Sequence, residues 1–549
     1  MPDERRRALT LLGLVIVSVL ALVASFAVDH REDGEATSSG TEDGGGTDGE
    51  DGGPTEDGGE VGEGEPDEPE GEVFRTDFEG WADPAGFGRP YPNAAVEGVL
   101  TFRGNPSRSY YGAGPVPRST PQVLFRFPDE PMCRESLNLG ERKVWCGMGW
   151  TGQPTIAVRE DRTWAIFGGY DGNIHFMDAD TGERILPDVE TGDIIKGTPT
   201  IDPDGYPLVY SGSRDDLLRV IAFDRPGQAE VLWTLHADAV QPVIWNDDWD
   251  ASPIVIGDYL VENSESGRFW VIKLNRTTDA AGLVQVAPEV VFTTPVWDQE
   301  VLSLNGDTVA SAESSPAIHG NTAYLGTSAG LIWGFDLSGL EDGVTPEPVF
   351  RFWTGGDNDA TVVVDDEGML YVAGQYDRNL QRARDVGQLT KLDPSNPTDP
   401  IVWKIDDQGA LKGGVYGTPG ISGDVLYFGT NGGRLVGVDR MTGAVLWEKR
   451  LAPPVWGSPV VVDDVLLVGD CGGIFHAFDV SDPLVDPPPL WQVDLGGCIE
   501  ATPAVWDGRI YIGSRNGHLY VLGAPDPAPD APVTTDTAEA SAESGGTEG

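Results

Sequence analysis

Cysteine is nearly absent from this chain of 549 residues: it occurs four times, as Cys133, Cys146, Cys471 and Cys498. No two are adjacent and none are spaced Cys-x-x-Cys, so neither a zinc knuckle nor c-type haem attachment is supported. The even number fits two disulfides in an exported protein, with three connectivities open. The six histidines are scattered, and His175, His476 and His518 alternate with strand-type residues without metal-ligand spacing. Positive charge is also scarce. Lys and Arg total 36 against 89 Asp and Glu, a formal net charge of -53. Nucleic acid and anionic lipid both need clustered Lys and Arg, so this balance argues against them as partners. The surplus exceeds what the low-complexity ends hold, so the folded part is acidic too, an adaptation for solubility in salt rather than a docking site. Helical periodicity, a phosphate-binding glycine loop and a nucleophile–base pair are all missing.

Only one long apolar run is present, from Ala8 to Val28 after Arg5-Arg6-Arg7. It is long enough to span a bilayer as a helix, and the basic cluster keeps its start cytoplasmic. Residues 1–30 are therefore expected to be a signal anchor holding the rest outside the cell membrane; a cleaved signal peptide ending near Ser25-Phe26-Ala27 is the rival reading. Residues 31–72 are almost wholly Gly, Glu, Asp, Thr, Ser and Pro and read as a disordered acidic tether. The tail, 524–549, reads the same way, and 73–119 forms a lead-in to the folded domain.

That domain, 120–523, is written in repeats. A small residue, Ser or Thr, Pro, an apolar strand, a Gly-rich turn and a second apolar strand recur, most clearly from Gly417-Thr418-Pro419 to Trp447. The starts fall at Gln153, Thr198, Ser252, Ser315, Thr361, Thr418, Ser458 and Thr502, with Val362 in place of Pro in the fifth copy. Most copies add a fourth strand ending near a large apolar residue: Leu186, Trp233, Phe350, Trp403, Trp447 or Trp491. Four short strands at a period of roughly 40–50 residues predict an all-β, eight-bladed propeller. The last copy stops after three strands at Leu522, so Gln122 to Phe127 is expected to return and complete its blade.

The stretch from Gly437 to Trp447, with Asp439, Thr442 and Gly443, resembles the tryptophan-docking motif of PQQ-like (quinoprotein alcohol dehydrogenase-like) propellers. The lead-in Phe102-Arg103-Gly104-Asn105-Pro106-Ser107-Arg108, ending at Gly114-Pro115, resembles the N-terminal signature of secreted members of that superfamily. The resemblance implies a propeller over about residues 98–523, in a superfamily that holds both quinone dehydrogenases and non-enzymatic outer-membrane assembly lipoproteins. It assigns structure to Asp439, Thr442, Gly443 and Trp447: a hairpin turn and an inter-blade wedge.

In such a blade the loop leading into strand one and the loop between strands two and three share the channel-mouth face. Cys471 and Cys498 fall on adjacent mouth-side loops and Cys133 and Cys146 in the long entry to the first blade on the same face, so the expected pairs are Cys133–Cys146 and Cys471–Cys498. Two residues before each start, Thr151, Lys196, Asp250, Glu313, Asp359, Tyr416, Trp456 and Glu500 should surround the mouth. Its acids suit a hard cation such as calcium, or form only a solvated polar ring. In quinone dehydrogenases a Trp-Asp pair carries the catalytic acid and an Arg in the next hairpin contacts the quinone. By resemblance Asp250 would be the base, with Trp249, Arg268 and Trp456 holding PQQ beside calcium. The adjacent-cysteine disulfide of those enzymes has no counterpart here. The leading expectation is therefore a membrane-anchored, extracytoplasmic module that binds another protein or a small ligand at the mouth without catalysis. Trp245, Trp249, Tyr416 and Trp456 would be its anchoring aromatics. A PQQ-dependent alcohol or sugar dehydrogenase is the alternative. A polysaccharide- or ligand-sensing ectodomain, hinted at by the acids of 245–250, is the third.

Overall fold

A computed structural model describes residues 73–138, 141–150, 152–407 and 413–524. The expected anchor, the tether, the tail beyond 524 and Thr151 lie outside these residues. Among the described residues no helix is long and apolar enough to cross a membrane.

Eight antiparallel sheets form the propeller, and they follow the eight repeats in order. Blade six shows the pattern: Gly420–Ser422, Val425–Gly429, Arg434–Asp439 and Val445–Arg450 pair as consecutive neighbours. Its second strand is buried throughout, because neighbouring blades cover both faces of the sheet. The fourth, at the rim, buries only Trp447 and leaves the rest exposed or half-buried. The expected return strand is present: Gln122–Phe127 runs antiparallel to Leu519–Gly523, with Phe127 opposite Leu519, and completes blade eight. Both expected disulfides form, Cys133–Cys146 across the hairpin Cys133–Asn138/Glu141–Cys146 and Cys471–Cys498 between blades seven and eight. Among the described residues helix occurs only in short segments such as Gln299–Asn305 and Gln381–Val386.

Blades dock through one repeated device. In each, the fourth strand slips register by a bulge just where a large side chain faces strand three. Trp447 lies opposite Gly437, Trp403 opposite Lys391 and Trp491 opposite Ala477. Trp233, Phe292, Phe350 and Phe125 hold the same place in blades two, three, four and eight. Blade one alone has an aliphatic residue there, Leu186 opposite Phe176. The aromatic reaches the hairpin turn of the following blade. Trp403 donates its indole N–H to Arg440 O (3.0 Å), and a Cβ on Gly443 would come within 2.7 Å of its ring. Asp439 shapes that turn by accepting from the N–H groups of Met441 and Thr442.

The Ser/Thr at each start also has a structural task. Backbone N–H groups of Gln153, Thr198, Ser252, Ser315, Thr361 and Thr418 donate, at 2.9–3.1 Å, to the hydroxyls of Thr198, Ser252, Ser315, Thr361, Thr418 and Ser458 in turn. The first strands are thereby stitched into a belt around the channel. Gln153 lacks a hydroxyl and instead sends its side chain across, donating to Pro503 O (2.8 Å) and accepting from Arg103 N–H (2.6 Å).

The channel itself is filled by the lead-in. Gly98–Val99 adds an inner fifth strand to blade one, pairing with Ile156 and Ala157. The following residues curl tightly: Arg103, Gly104 and Arg108 all have positive φ, a cost of about 1–2 kcal/mol at each non-glycine position that the surroundings offset. Both guanidiniums are fully buried. Arg103 donates to Thr418 O (2.9 Å), Pro459 O (3.1 Å) and Arg108 O (3.2 Å). Arg108 donates to Ser252 O (2.7 Å), Pro316 O (2.8 Å) and Phe102 O (2.9 Å). Carbonyls at the starts of blades three, four, six and seven are thus satisfied from the centre. Burial pulls Arg108 down to about 10, against the pull of Tyr91 and Glu262, so it remains charged at neutral pH.

Replacing Arg103 with Met keeps much of the bulk and strands three buried carbonyl oxygens. Urea unfolding of Arg103→Met is expected to lose about 3 kcal/mol or more. A loss below about 1 kcal/mol would show that the lead-in does not support the ring.

Candidate functional site

The loops leading into the first strands and the loops between strands two and three do converge at one end of the channel, above the lead-in. Half of this mouth is ionic. Lys196, at the start of blade two, ion-pairs with Asp250 of blade three, and its Nζ also lies 3.7 Å from Glu265 and 3.9 Å from Glu313. Beside it Arg214 Nε meets Asp248 at 2.5 Å, and Asn246 bridges Asp248 (2.8 Å) and Glu265 (2.7 Å). Asp359 continues the row, accepting from Ser328 Oγ (3.0 Å) and Gln375 Nε2 (3.2 Å), while Ser311 joins Ser328 to Glu313.

The other half is aromatic. Trp150, Tyr416 and Trp456 form a row with successive ring centroids 5.1 and 5.4 Å apart. Trp456 donates to Asn431 Oδ1 (2.8 Å). Glu500 closes the circle by pairing with Arg515 (2.7 Å), whose guanidinium lies between the rings of Trp145 and Tyr170 at 4.8 and 4.9 Å.

Crowding of acids in a buried place sets their protonation. Burial opposes the charge on Asp250, but Lys196, a hydrogen bond from Glu265 and Arg214 outweigh it and hold the carboxyl below its usual range. Burial, with Glu313 and Asp250 close by, pushes Glu265 well up. Burial and Asp359 raise Glu313 to about 8. Asp248 rises to about 7 through burial and Asp250, and Asp357 to about 7 chiefly through burial. Asp359 is raised well above the carboxylate range by burial and Asp357. One anionic carboxylate therefore sits on Lys196 while several neighbours hold protons at neutral pH.

Lys196, Asp250, Glu313, Asp359, Tyr416, Trp456 and Glu500 all lie at the mouth. Trp249 and Arg268 lie elsewhere in blade three's surroundings. Trp249 has no exposed surface; it packs on Trp270 (5.6 Å) and donates to Asp216 O (3.0 Å) within the interface of blades two and three. Arg268 donates to Gln241 O (2.9 Å). Trp245 is 39% exposed, on the loop before blade three. Carboxylate oxygens of Asp248, Asp250 and Glu265 lie within 4.8 Å of one another, the spacing a cation could bridge. Lys196 and Arg214 already occupy two of these three acids, and no ring face of Trp249 is available for a quinone to stack on. The residues present do not fit PQQ with calcium.

Asp248 fell within the acid stretch 245–250, but reading the residues ahead of each start did not single out Glu265, Arg214, Asp357, Trp150 or Arg515. Glu265, Arg214 and Arg515 sit on loops between strands two and three, whose mouth-side position follows from the blade pattern, so applying that rule to every copy finds them.

The repeats build an eight-bladed β-propeller, and part of the chain is similar to PQQ-repeat propellers. Residues 385–486 match the family model described as outer membrane protein assembly factor BamB. The chain is 29% identical over 152 residues to the quinoprotein alcohol dehydrogenase PedH of Pseudomonas putida, which covers 26% of this chain and 24% of that protein. It is 33% identical over 102 residues to the outer membrane protein assembly factor BamB of Nitrosomonas eutropha, covering 18% of this chain and 21% of the relative. The matched part is thus about a quarter or less of each relative's length. Among solved structures, a europium-containing methanol dehydrogenase superposes with a TM-score of 0.50 at 13% identity, over 78% of this chain and 98% of that one. BamB from Moraxella catarrhalis gives a TM-score of 0.47 at 20% identity, over 67% and 95%.

The raised carboxyls set a pH dependence. Between about pH 4, where they titrate unfolded, and their folded values, the native state holds protons that the unfolded chain has released. Stability is then full below the unfolded pKa and falls as pH rises, through about 7 for Asp248 and Asp357 and about 8 for Glu313 and Glu262. Asp250 has the opposite sign but titrates below this window. Unfolding free energy should decline from pH 5 to pH 8, by about 1.4 kcal/mol per pH unit for each excess proton, and Glu313→Gln should flatten the slope. A stability that rises across this range would contradict the assignment.

Proposed function

We propose that this protein is a membrane-anchored, extracytoplasmic propeller that docks a partner protein on its mouth face and carries out no chemistry there. The observation that carries this reading is the internal neutralisation of the mouth acids. Asp250 and Asp248 are engaged by Lys196 and Arg214. A general base needs a pKa near the working pH and access to the proton it removes. Asp250 is held low, engaged and fully buried, which opposes such a role. The aromatic row of Trp150, Tyr416 and Trp456, beside a fixed set of charges, has the make-up of a protein-docking centre. The printed role of the BamB relatives in outer-membrane protein assembly fits a scaffold of this kind, as does the apolar run at residues 8–28, which would tether it.

Quinone-dependent alcohol oxidation is the competing reading, favoured by the stretch similar to PedH. Purified protein given PQQ and calcium is expected to show neither a thermal shift nor dye-linked alcohol oxidation; quinone-dependent turnover would overturn the proposal. A benzoyl-phenylalanine cross-linker at position 456 should capture a discrete protein in the native envelope. The same probe at exposed Val349, on an outer strand, should capture none. Equal labelling from both positions would remove the mouth as the docking face.

A further inference from the structure

Blade one's exception to the aromatic docking rule has a physical result. Where seven blades place Trp or Phe at the bulge, Leu186 leaves space against blade two, and a cleft of about 380 Å³ opens there. It lies by the turn after Arg159 and by Arg225 at the end of blade two's third strand, so it faces away from the mouth. Its walls include Arg159, Arg162, Arg225, Trp164, Leu186 and Phe223. Glu160 and Asp224 also border it, so guanidiniums outnumber carboxylates in a chain whose formal charge is -53.

Two of the three arginines are committed. Arg225 pairs with Asp224 and with Glu230 (2.8 Å), and Arg162 with Asp178 (3.3 Å). Arg159 makes no ion pair among the described residues. Its guanidinium lies 4.9 Å from the Phe223 ring centroid, and Nη1 donates to Gly205 O at 3.3 Å. Trp164, more than nine-tenths buried and tilted against Phe223 at 5.5 Å, has an indole N–H with no hydrogen-bond acceptor. The cleft therefore combines a guanidinium that makes no direct ion pair among the described residues with apolar and aromatic walls.

We infer that this cleft is a binding site for a small carboxylate whose body is flat or apolar on one side. The carboxylate would engage Arg159, and the body would lie against Leu186 and the aromatic wall of Trp164 and Phe223. Arginine favours such planar, paired recognition of carboxylates. The shared chemistry covers aromatic acids and sugar acids, and the probes separate them. The site is on the opposite face from the proposed docking surface, so it stands or falls independently of that reading.

Calorimetric titration of the full chain with benzoate and with glucuronate, and with benzyl alcohol and glucose as uncharged counterparts, tests it. Saturable binding of at least one acid, with its uncharged counterpart at least about tenfold weaker, is expected, a difference of about 1.4 kcal/mol. Binding by benzoate alone identifies an aromatic acid, and by glucuronate alone a sugar acid. Arg159→Gln should weaken binding at least about tenfold. Leu186→Trp, which places in blade one the aromatic the other blades carry and fills the cleft, should weaken it to a similar degree. No saturable binding of either acid would overturn the inference, as would unchanged affinity in both variants.

Discussion

Everything at the mouth depends on two buried guanidinium groups at the bottom of it. A propeller brings eight first strands to one axis, and the carbonyls at their starts point inward where little water can reach. An unpaired buried carbonyl is costly, and a neutral plug could satisfy few of them. Arg103 and Arg108 together reach carbonyls of blades three, four, six and seven. Their positive-φ backbone shows what that reach requires: a sharply curled segment, held in place because both side chains are bonded all round.

From that centre the rest follows outward. The hydroxyl belt fixes the spacing of neighbouring first strands, and the rim aromatics fix the spacing of neighbouring fourth strands. Between these two rings the blade angle is set, and with it the distances among residues that enter from different blades. Lys196 meets Asp250 and Glu313 only because blades two, three and four hold their loops at that radius. Several blades thus hold the mouth groups at once, and Asp250 and Asp248 meet Lys196 and Arg214 there. Where the outer ring lapses, at Leu186, the fold opens a cleft instead.

Much of the architecture was legible in the sequence because repeats carry it. The blade number, the closing strand from Gln122 and both disulfides followed from counting starts and asking which loops share a face. The belt was visible only as a spelling; that the Ser and Thr hydroxyls accept from the preceding blade needed coordinates. The function of Arg103 and Arg108 was hidden, since a basic residue in a polar lead-in reads as exposed and nothing local predicts full burial. At the site, residues that precede the starts were found, while Trp249 and Arg268 were given cofactor roles by analogy with relatives. The indole of Trp249 lies in the core instead, packed on Trp270 and bonded to Asp216 O between blades two and three. Periodicity predicts positions well and does not predict which partner a charged side chain will find.

Hydrogen exchange of the lead-in tests the central claim most directly. The amides of Arg103, Arg108 and Tyr110 bond to Gln153 Oε1, Asn105 O and Arg103 O within the channel. If the buried arginines are the hub of the ring, these amides should exchange only as slowly as the second strands of the blades, through global opening. Exchange of the lead-in within minutes, while the blade strands stay protected, would show that the ring stands without its hub and would contradict the account.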